Sequence, residues 1–468
     1  MQAYLSTSVA DCPTGRSAID LPRVRPSALR FWLPLAVIGV ALYIAQHDIT
    51  YTSPAYEEGG RVEDLVTDVS SSSLSRQLAF ISLGLMGGLL IAAPARQPLA
   101  TSRGHLFLFL ASGACVMTSA LWADDFPHSL KQCMVPLLCG AAALGVTKHW
   151  QPRQVCLFVA ALTGTFLMVG ILAECAASNF LHGDEYRFAG TLHSNNQAVN
   201  CAALFLASLS LFYEAREQHA RGRSTFWLLV AVIGLVFLLL TRARTATIAL
   251  LPALVMFVFL GVSGRKRLLL VGGLAMIVCA SAVLVLESAD QNANPLVELL
   301  KMGRDQDTDE VASLTGRVPI WAEVVADVAK RPLLGYGYGD FWTSERILQY
   351  SYIHDWMFDH AHSAYLETLL NVGSLGLIVG LAVVGLAIWR AARGYGATHD
   401  PGFRFIAVLL AMAMVHGLVD SNFVREGFEL ILGMICVAAV CLHGGRSIQA
   451  DEPLLEDPRR EDGPPSHV

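Results

Sequence analysis

The chain has 468 residues, of which 54% are hydrophobic and only 15% charged, with a formal net charge of -6 and a mean hydropathy of +0.49. A soluble globular chain carries about a quarter charged residues, so this composition excludes an ordinary soluble enzyme. The apolar residues gather into runs near the roughly 20 residues that cross a bilayer, which predicts an all-α polytopic membrane protein.

The first 30 residues are polar and hold Arg16, Arg23, Arg25 and Arg30. They read as a cytoplasmic tail ahead of an anchoring span, without the short apolar core of a cleaved signal peptide. Twelve spans follow, at about 31–46, 78–93, 105–123, 133–147, 154–177, 196–213, 225–240, 245–262, 266–287, 364–389, 404–421 and 427–443. The expected organisation is a tail at 1–30, transmembrane helices 1 to 9 within 31–287, a long extracytoplasmic loop at 288–363 carrying a short amphipathic helix, transmembrane helices 10 to 12 within 364–443, and a disordered cytoplasmic tail at 444–468. Nine of the ten cysteines fall in these spans and no CxxC spacing occurs. Neither a disulfide framework nor a zinc site is therefore expected.

Basic clusters orient the chain. Arg216, Arg221 and Arg223, then Arg265, Lys266 and Arg267, then Arg390, Arg393 and Arg404 fall on one side of the membrane, and the positive-inside rule makes that side cytoplasmic, with both termini. The connections after spans five, seven and nine then all face outward. They carry Arg187, the pair Arg242 and Arg244, and Arg317 with His360 and His362. Basic groups placed against the trend call for a reason, and one reason is an anion bound at the outer face. Arginine suits that task, because its planar fork holds phosphate oxygens in pairs and stays charged in a partly dry site. Thr241-Arg242-Ala-Arg244 alone, squeezed between two apolar runs, is equally consistent with a snorkelling pair at a tight hairpin.

In the long loop, Thr315 is placed to cap a helix whose first turn holds Pro319. Val318, Trp321, Val325 and Val328 would share its apolar face. Pro332 and the series Gly335, Gly337 and Gly339 end it. With no strand before them and no Gly-Lys-Ser/Thr after, these glycines predict a tight turn near the active site rather than a phosphate loop. Asp305, Asp307, Asp309 and Glu310 form a DxD-like run without the α/β context of a nucleotide-sugar metal site, and a solvated acidic stretch is the expectation; no metal and no cofactor are expected. His362 opens span ten, with Asp359 and His360 just before it. A neutral histidine there is suited to accept a hydroxyl proton. His416 and Asp420, costly in lipid, are expected to pair near the outer end of span eleven and to line the site.

Four ordered segments resemble the O-antigen ligase and polymerase superfamily of bacterial envelope glycan enzymes. They are Arg187-Phe-Ala-Gly190 with Asn195-Asn196; Leu240-Thr-Arg-Ala-Arg244-Thr-Ala; Arg317-Val-Pro-Ile-Trp321 through Pro332-Leu-Leu-Gly-Tyr-Gly337; and His360-Ala-His362-Ser-Ala-Tyr-Leu366 through Gly373-Ser-Leu-Gly376. The resemblance implies a GT-C-like inverting, metal-independent glycosyltransferase in the bacterial inner membrane, with its site facing the periplasm. Its donor would be an undecaprenyl-pyrophosphate-linked glycan and its acceptor a glycan or a lipid A core. Membrane lipid, but no nucleic acid, would be a further partner. On the family pattern Arg244, Arg317 and His362 correspond to the catalytic groups, while Arg187, Arg242, His360 and Asp420 would contact substrate. Ala243 stands where serine is usual, and Ser363 where asparagine is common.

Ligase and polymerase share this chemistry and differ in acceptor. A lipid-linked sugar flippase would instead show inverted repeats and polar groups at mid-bilayer. A polyprenyl-phosphate-sugar transferase would rely on Glu57, Glu58, Glu63 and Asp64 in the first outer loop.

Overall fold

A computed structural model describes residues 28–46, 74–95, 99–182, 186–262, 317–354, 359–425 and 427–445. Span nine, the acidic run at 305–310, Thr315, the acids of the first outer loop and both tails lie outside these residues. Among the described residues the chain is helical, without strands. Eight helices precede the long loop: α1 (Ala28–Gln46), α2 (Leu74–Ala92), α3 (Arg103–Ser119, extended by a short 3-10 turn), α4 (Phe126–His149), α5 (Pro152–Ala176), α6 (Ser194–Glu217), α7 (Arg221–Leu240) and α8 (Arg244–Gly261). Two lie within it, α9 (Arg317–Val328) and α10 (Ser344–His354). Three follow, α11 (Ala364–Thr398), α12 (Pro401–His416) and α13 (Phe428–His443).

Eight of these helices, α2 to α8 and α11, are long and apolar enough to cross a bilayer. The apolar helices at Trp32–Ile44, Pro401–His416 and Phe428–His443 are shorter. The chain is a multi-pass membrane protein. Eleven of the twelve expected spans coincide with an apolar helix, and the ninth falls outside the described residues.

Local chemistry sets the helix starts. Asp125 accepts the His128 amide at 3.0 Å and Pro127 occupies the first turn of α4. That extends the expected fourth span well toward the N-terminus. Asp400 accepts from the Gly402 amide at 2.7 Å ahead of Pro401, the same cap-plus-proline start for α12. Glycines let backbones touch where apolar side chains alone give little drive for association in lipid. A Cβ on Gly87 of α2 would lie 2.4 Å from the Ala141 carbonyl carbon of α4.

Three expectations need correction. The eleventh span ends at His416, so Asp420 lies in the turn beyond it. His416 is fully buried but its ring nitrogens make no hydrogen bond among the described residues, so the expected His416–Asp420 pair does not form. The face of α9 is also rotated from the one expected: Ile320 and Val324 are buried, whereas Val318 is 46% and Val325 53% exposed. The reason is tertiary. Ile320 and Val324 join Tyr336, Phe341, Tyr350, Ala361 and Leu370 in a small core of the loop's own, and Val328 packs at its edge.

That small core docks on a break in α11. Gly373 adopts φ 66° and ψ -170° inside the helix, a conformation open in practice only to glycine. Helical pairing is lost around it, freeing carbonyls before the break and amides after it. The glycine turn answers both. Leu370 O accepts the Tyr336 amide at 2.7 Å and Asn371 O the Gly337 amide at 3.1 Å, while the Ser374 amide donates to Pro332 O at 2.9 Å. Backbone groups in a membrane protein must be satisfied internally, so the break and the turn are one structural unit.

Candidate functional site

The segment bearing Arg187 is held by a buried carboxylate. Glu174, near the end of α5 and 8% exposed, accepts the Ala189 amide at 2.9 Å and the Gly190 amide at 2.7 Å, along with the Tyr186 hydroxyl. Gly190 has φ +64° and rests on Gly170, so the turn is pinned tightly to α5. The Phe188 amide donates to Leu240 O at 2.9 Å, and Arg187 Nε donates to Thr241 O at 3.2 Å. Arg187 thus joins the hairpin that carries Arg242 and Arg244. Burial and then the charges of Arg244 and Arg242 lower the Arg187 pKa, which shows how close the three cations sit.

Arg242 sits at φ 49° in the turn between α7 and α8, and Arg244 opens α8. Ala243 occupies the helix N-cap and supplies no side-chain acceptor. The Thr241 hydroxyl instead accepts the Ala243 amide at 3.3 Å.

On the other side of the site, residues 359–363 lead into α11. The Ala361 carbonyl accepts Trp321 Nε1 of α9 at 2.9 Å. The Ala361 amide donates to Glu367 Oε2 at 2.9 Å, and Trp342 Nε1 reaches both oxygens of the same carboxylate at 3.2 Å. Glu367 is 4% exposed. It therefore fixes the backbone between the two histidines, and Glu367→Ala would remove the acceptor of the buried Ala361 amide and of the half-buried Trp342 indole. The expected loss is about 2–5 kcal/mol of stability, read as a lowered melting temperature in detergent; an unchanged melt would refute this clamp.

Arg317 stands at the start of α9 and its Nη1 donates to Val419 O. Burial lowers its pKa and Asp420 opposes that shift. Asp420 is 5% exposed and its side chain accepts the Asn422 amide at 3.1 Å. It acts on Arg317 as a buried counter-charge rather than through an open face. The His360 and His362 rings lie in contact, tilted by 47° with centroids 3.9 Å apart. Burial, followed by the charges of His360 and Arg317, holds His362 far below the usual histidine range, so His362 is neutral at physiological pH.

Two site residues escaped the sequence reading. Arg425 donates to both Asp359 oxygens, at 3.1 and 2.7 Å. The connection after span eleven, which the parity argument expects on the same side as Arg187 and Arg317, carries it, so that argument applied to this short turn would have found it. His193 is the N-cap of α6, with Nδ1 accepting the Asn195 amide at 3.3 Å. Enclosure lowers its pKa first, Arg187 and His360 lower it further, and Asp420 opposes them. His193 therefore lies between the arginine trio and the histidine pair, and no motif marks it beyond its place before Asn195-Asn196. Asn422 Nδ2 donates to Asn196 Oδ1 at 2.8 Å, tying the same two halves together. All seven residues expected at the site fall at one end of the helix bundle and within one connected set of charges.

The glycine turn contributes no free amides. Gly335 N donates to Arg331 O, Tyr336 and Gly337 N to α11, Tyr338 N to the Ser119 hydroxyl, Gly339 N to Asn371 Oδ1, and Asp340 N to Gly337 O. Every N–H that a phosphate would need is already used, which decides for the tight-turn reading. Among the described residues no group of three or more His, Cys, Asp or Glu side chains is placed to hold a metal ion.

The family described as O-antigen ligase matches residues 229–381. That stretch contains Arg242, Arg244, Arg317, His360 and His362. The chain is 26% identical over 254 residues to the exopolysaccharide production protein ExoQ of Rhizobium meliloti (strain 1021), covering 51% of this chain and 54% of that protein. It is 22% identical over 271 residues to the ComP-specific O-oligosaccharyltransferase of Acinetobacter baylyi, covering 56% of this chain and 46% of that protein. The chain spans about half the length of the curated relatives it matches. Residues 229–381 are thus similar to the O-antigen ligase family, and the chain resembles two curated proteins over about half of its length.

Proposed function

We propose that the protein transfers a glycan from an undecaprenyl-pyrophosphate carrier to an acceptor hydroxyl, at the outer face of the bacterial cytoplasmic membrane, in the manner of an O-antigen ligase. The observation that carries this reading is the convergence of Arg187, Arg242, Arg244 and Arg317 with a neutral histidine at one end of a membrane bundle. Both termini would then be cytoplasmic and the site periplasmic. As the bond from the anomeric carbon to the pyrophosphate breaks, negative charge grows on the leaving oxygens. Fixed arginines lower that charge without help from a metal, and their orientation is set before the reaction by Glu174 and by Val419 O. Attack by the acceptor from the face opposite the leaving group inverts the anomeric centre. His362, beside Arg317, orients that acceptor. Lipid A core and a growing glycan are both suitable acceptors. The likeness to an exopolysaccharide production protein favours a polymerase as the second reading.

The test is glycan transfer in the native host at matched membrane expression. His362→Ala should abolish the product while lipid-linked precursor accumulates, followed by electrophoresis and mass spectrometry. A missing capped acceptor identifies a ligase, and a missing long chain a polymerase. Full activity of His362→Ala would refute this site and return a flippase to consideration.

A further inference from the structure

The far end of α11, away from the candidate site, carries basic groups that the proposed transfer does not use. Leu375, Ile378, Ala382, Gly385, Trp389 and Arg393 are all exposed and follow one another at intervals of three or four residues, so they form one outer face of the helix. The opposite stripe, Val383, Ala387 and Ala391, is buried. His105 of α3 fixes that side: its ring is buried and Nε2 donates to Val383 O at 3.1 Å.

Arg390 stands on the flank between the two stripes. Its Nε and Nη1 are buried and make no hydrogen bond among the described residues. No carboxylate there is among the charges that act on it. Its own charge acts on His105 of α3 and on Cys441 of α13, so the guanidinium lies where α3, α11 and α13 meet. Close by, the Ser102 amide donates to Cys441 O at 2.8 Å and joins α3 to α13. The Trp389 ring gathers the cations, with Arg393 at 4.9 Å and Arg390 at 5.9 Å from its centroid.

An arginine that only snorkels keeps its polar head in water. Arg390 withdraws two of its nitrogens instead, and a buried charged donor without an acceptor is costly. An anion that supplies oxygens removes that cost, and the fork of a guanidinium matches a phosphate. The exposed surface along the seam is apolar: Phe107 is 70% and Leu110 54% exposed on α3, and Ile378 62% on α11. A Cβ built on Gly385 would meet nothing within 4 Å, which leaves a shallow track for an acyl chain.

We infer that Arg390 and Arg393, gathered by Trp389, hold the phosphate of an anionic membrane lipid in the seam between α3 and α11 beside α13, with its chains along the exposed face of α11. Basic recesses between transmembrane helices take lipid head groups in this way. The lipid braces α11 at the end away from the site, and it is held whether or not the protein transfers glycan. A free phosphate offers the same oxygens without the chains, so the test separates the two.

The full chain is purified in detergent, stripped of lipid, and followed by thermal melting and native mass spectrometry with three additions: phosphatidylglycerol, the diacylglycerol of the same chains, and inorganic phosphate. Phosphatidylglycerol should raise the melting temperature and remain bound as one lipid mass, and the other two should do neither. Arg390→Met should weaken the apparent Kd for phosphatidylglycerol about tenfold. Without lipid it should melt no lower than the wild type, since it removes a buried charge that lacks a partner. Where Arg390→Met fails to fold, phosphatidylglycerol carrying a diazirine in its chain decides on the wild type, with crosslinks expected within 103–110 and 378–393. An equal gain from diacylglycerol overturns the phosphate, and an equal gain from inorganic phosphate overturns the lipid. An unchanged Kd for Arg390→Met, or crosslinks confined to other helices, overturns the site.

Discussion

Arg317→Ala is expected to lower the rate of glycan transfer by about 10²–10³-fold, the usual cost of removing one fixed donor from a developing anion. The loss should fall on kcat, because the charge that Arg317 meets grows only as the carrier bond breaks. Arg317→Lys should recover part of it. An ammonium keeps the charge but lacks the planar fork, so it cannot hold Val419 O and a phosphate oxygen in the same fixed geometry. The measurement is single-turnover transfer in detergent with a thermal melt alongside. If Arg317→Ala melts as the wild type does and transfers at the wild-type rate, Arg317 has no part in the chemistry. If it unfolds, the link from α9 to the 417–421 turn is structural, and Arg317→Lys alone decides the catalytic question.

Gly373→Ala is expected to destabilise the protein and abolish transfer together. A Cβ there would sit 2.2 Å from Leu333 O and 2.3 Å from its carbonyl carbon. Both are backbone atoms that cannot rotate aside. The position also has φ 66° with ψ -170°, where a side chain adds about 1–3 kcal/mol of strain. Relief requires either a continuous α11 or a displaced glycine turn. Either change breaks the bonds from Tyr336, Gly337 and Ser374, and it detaches the small core around Phe341 and Ile320 that holds residues 359–363. The expected result is a lowered melting temperature, faster proteolysis between α9 and α11, and loss of transfer even though Gly373 touches no substrate group. By contrast Gly380→Ala, further along the same helix with open space around it, should leave both readouts unchanged. Equal behaviour of the two variants would refute the docking account.

Much of this architecture could be read in advance because bilayer physics writes itself into composition. Runs such as Val155–Cys175 and Phe226–Leu240 have few conformational options in lipid, so each becomes a helix. Alternation of those helices then assigns Arg187, Arg242, Arg244 and Arg317 to one face by counting alone. The same logic extends to Arg425, but its partner Asp359 is 66 residues away, and only folding brings the two together. His193 carries no local signal, since its importance comes from lying between two groups of charges contributed by three different connections. The buried face of α9 was misjudged because a helix with valines on several sides has no single apolar stripe; the tertiary core chose Ile320 and Val324. Gly373 reads in the sequence as one glycine in an apolar span. Its break is decided by the segment from Pro332 to Gly337, whose amides and carbonyls replace the helical bonds that Gly373 gives up. The sequence by itself determined which of the described apolar runs become helices and which charged residues stand at their ends, because those follow from local transfer energies. The tertiary structure decided which charges meet and which carboxylates hold the segments that carry them, because those depend on contacts between residues far apart in the chain.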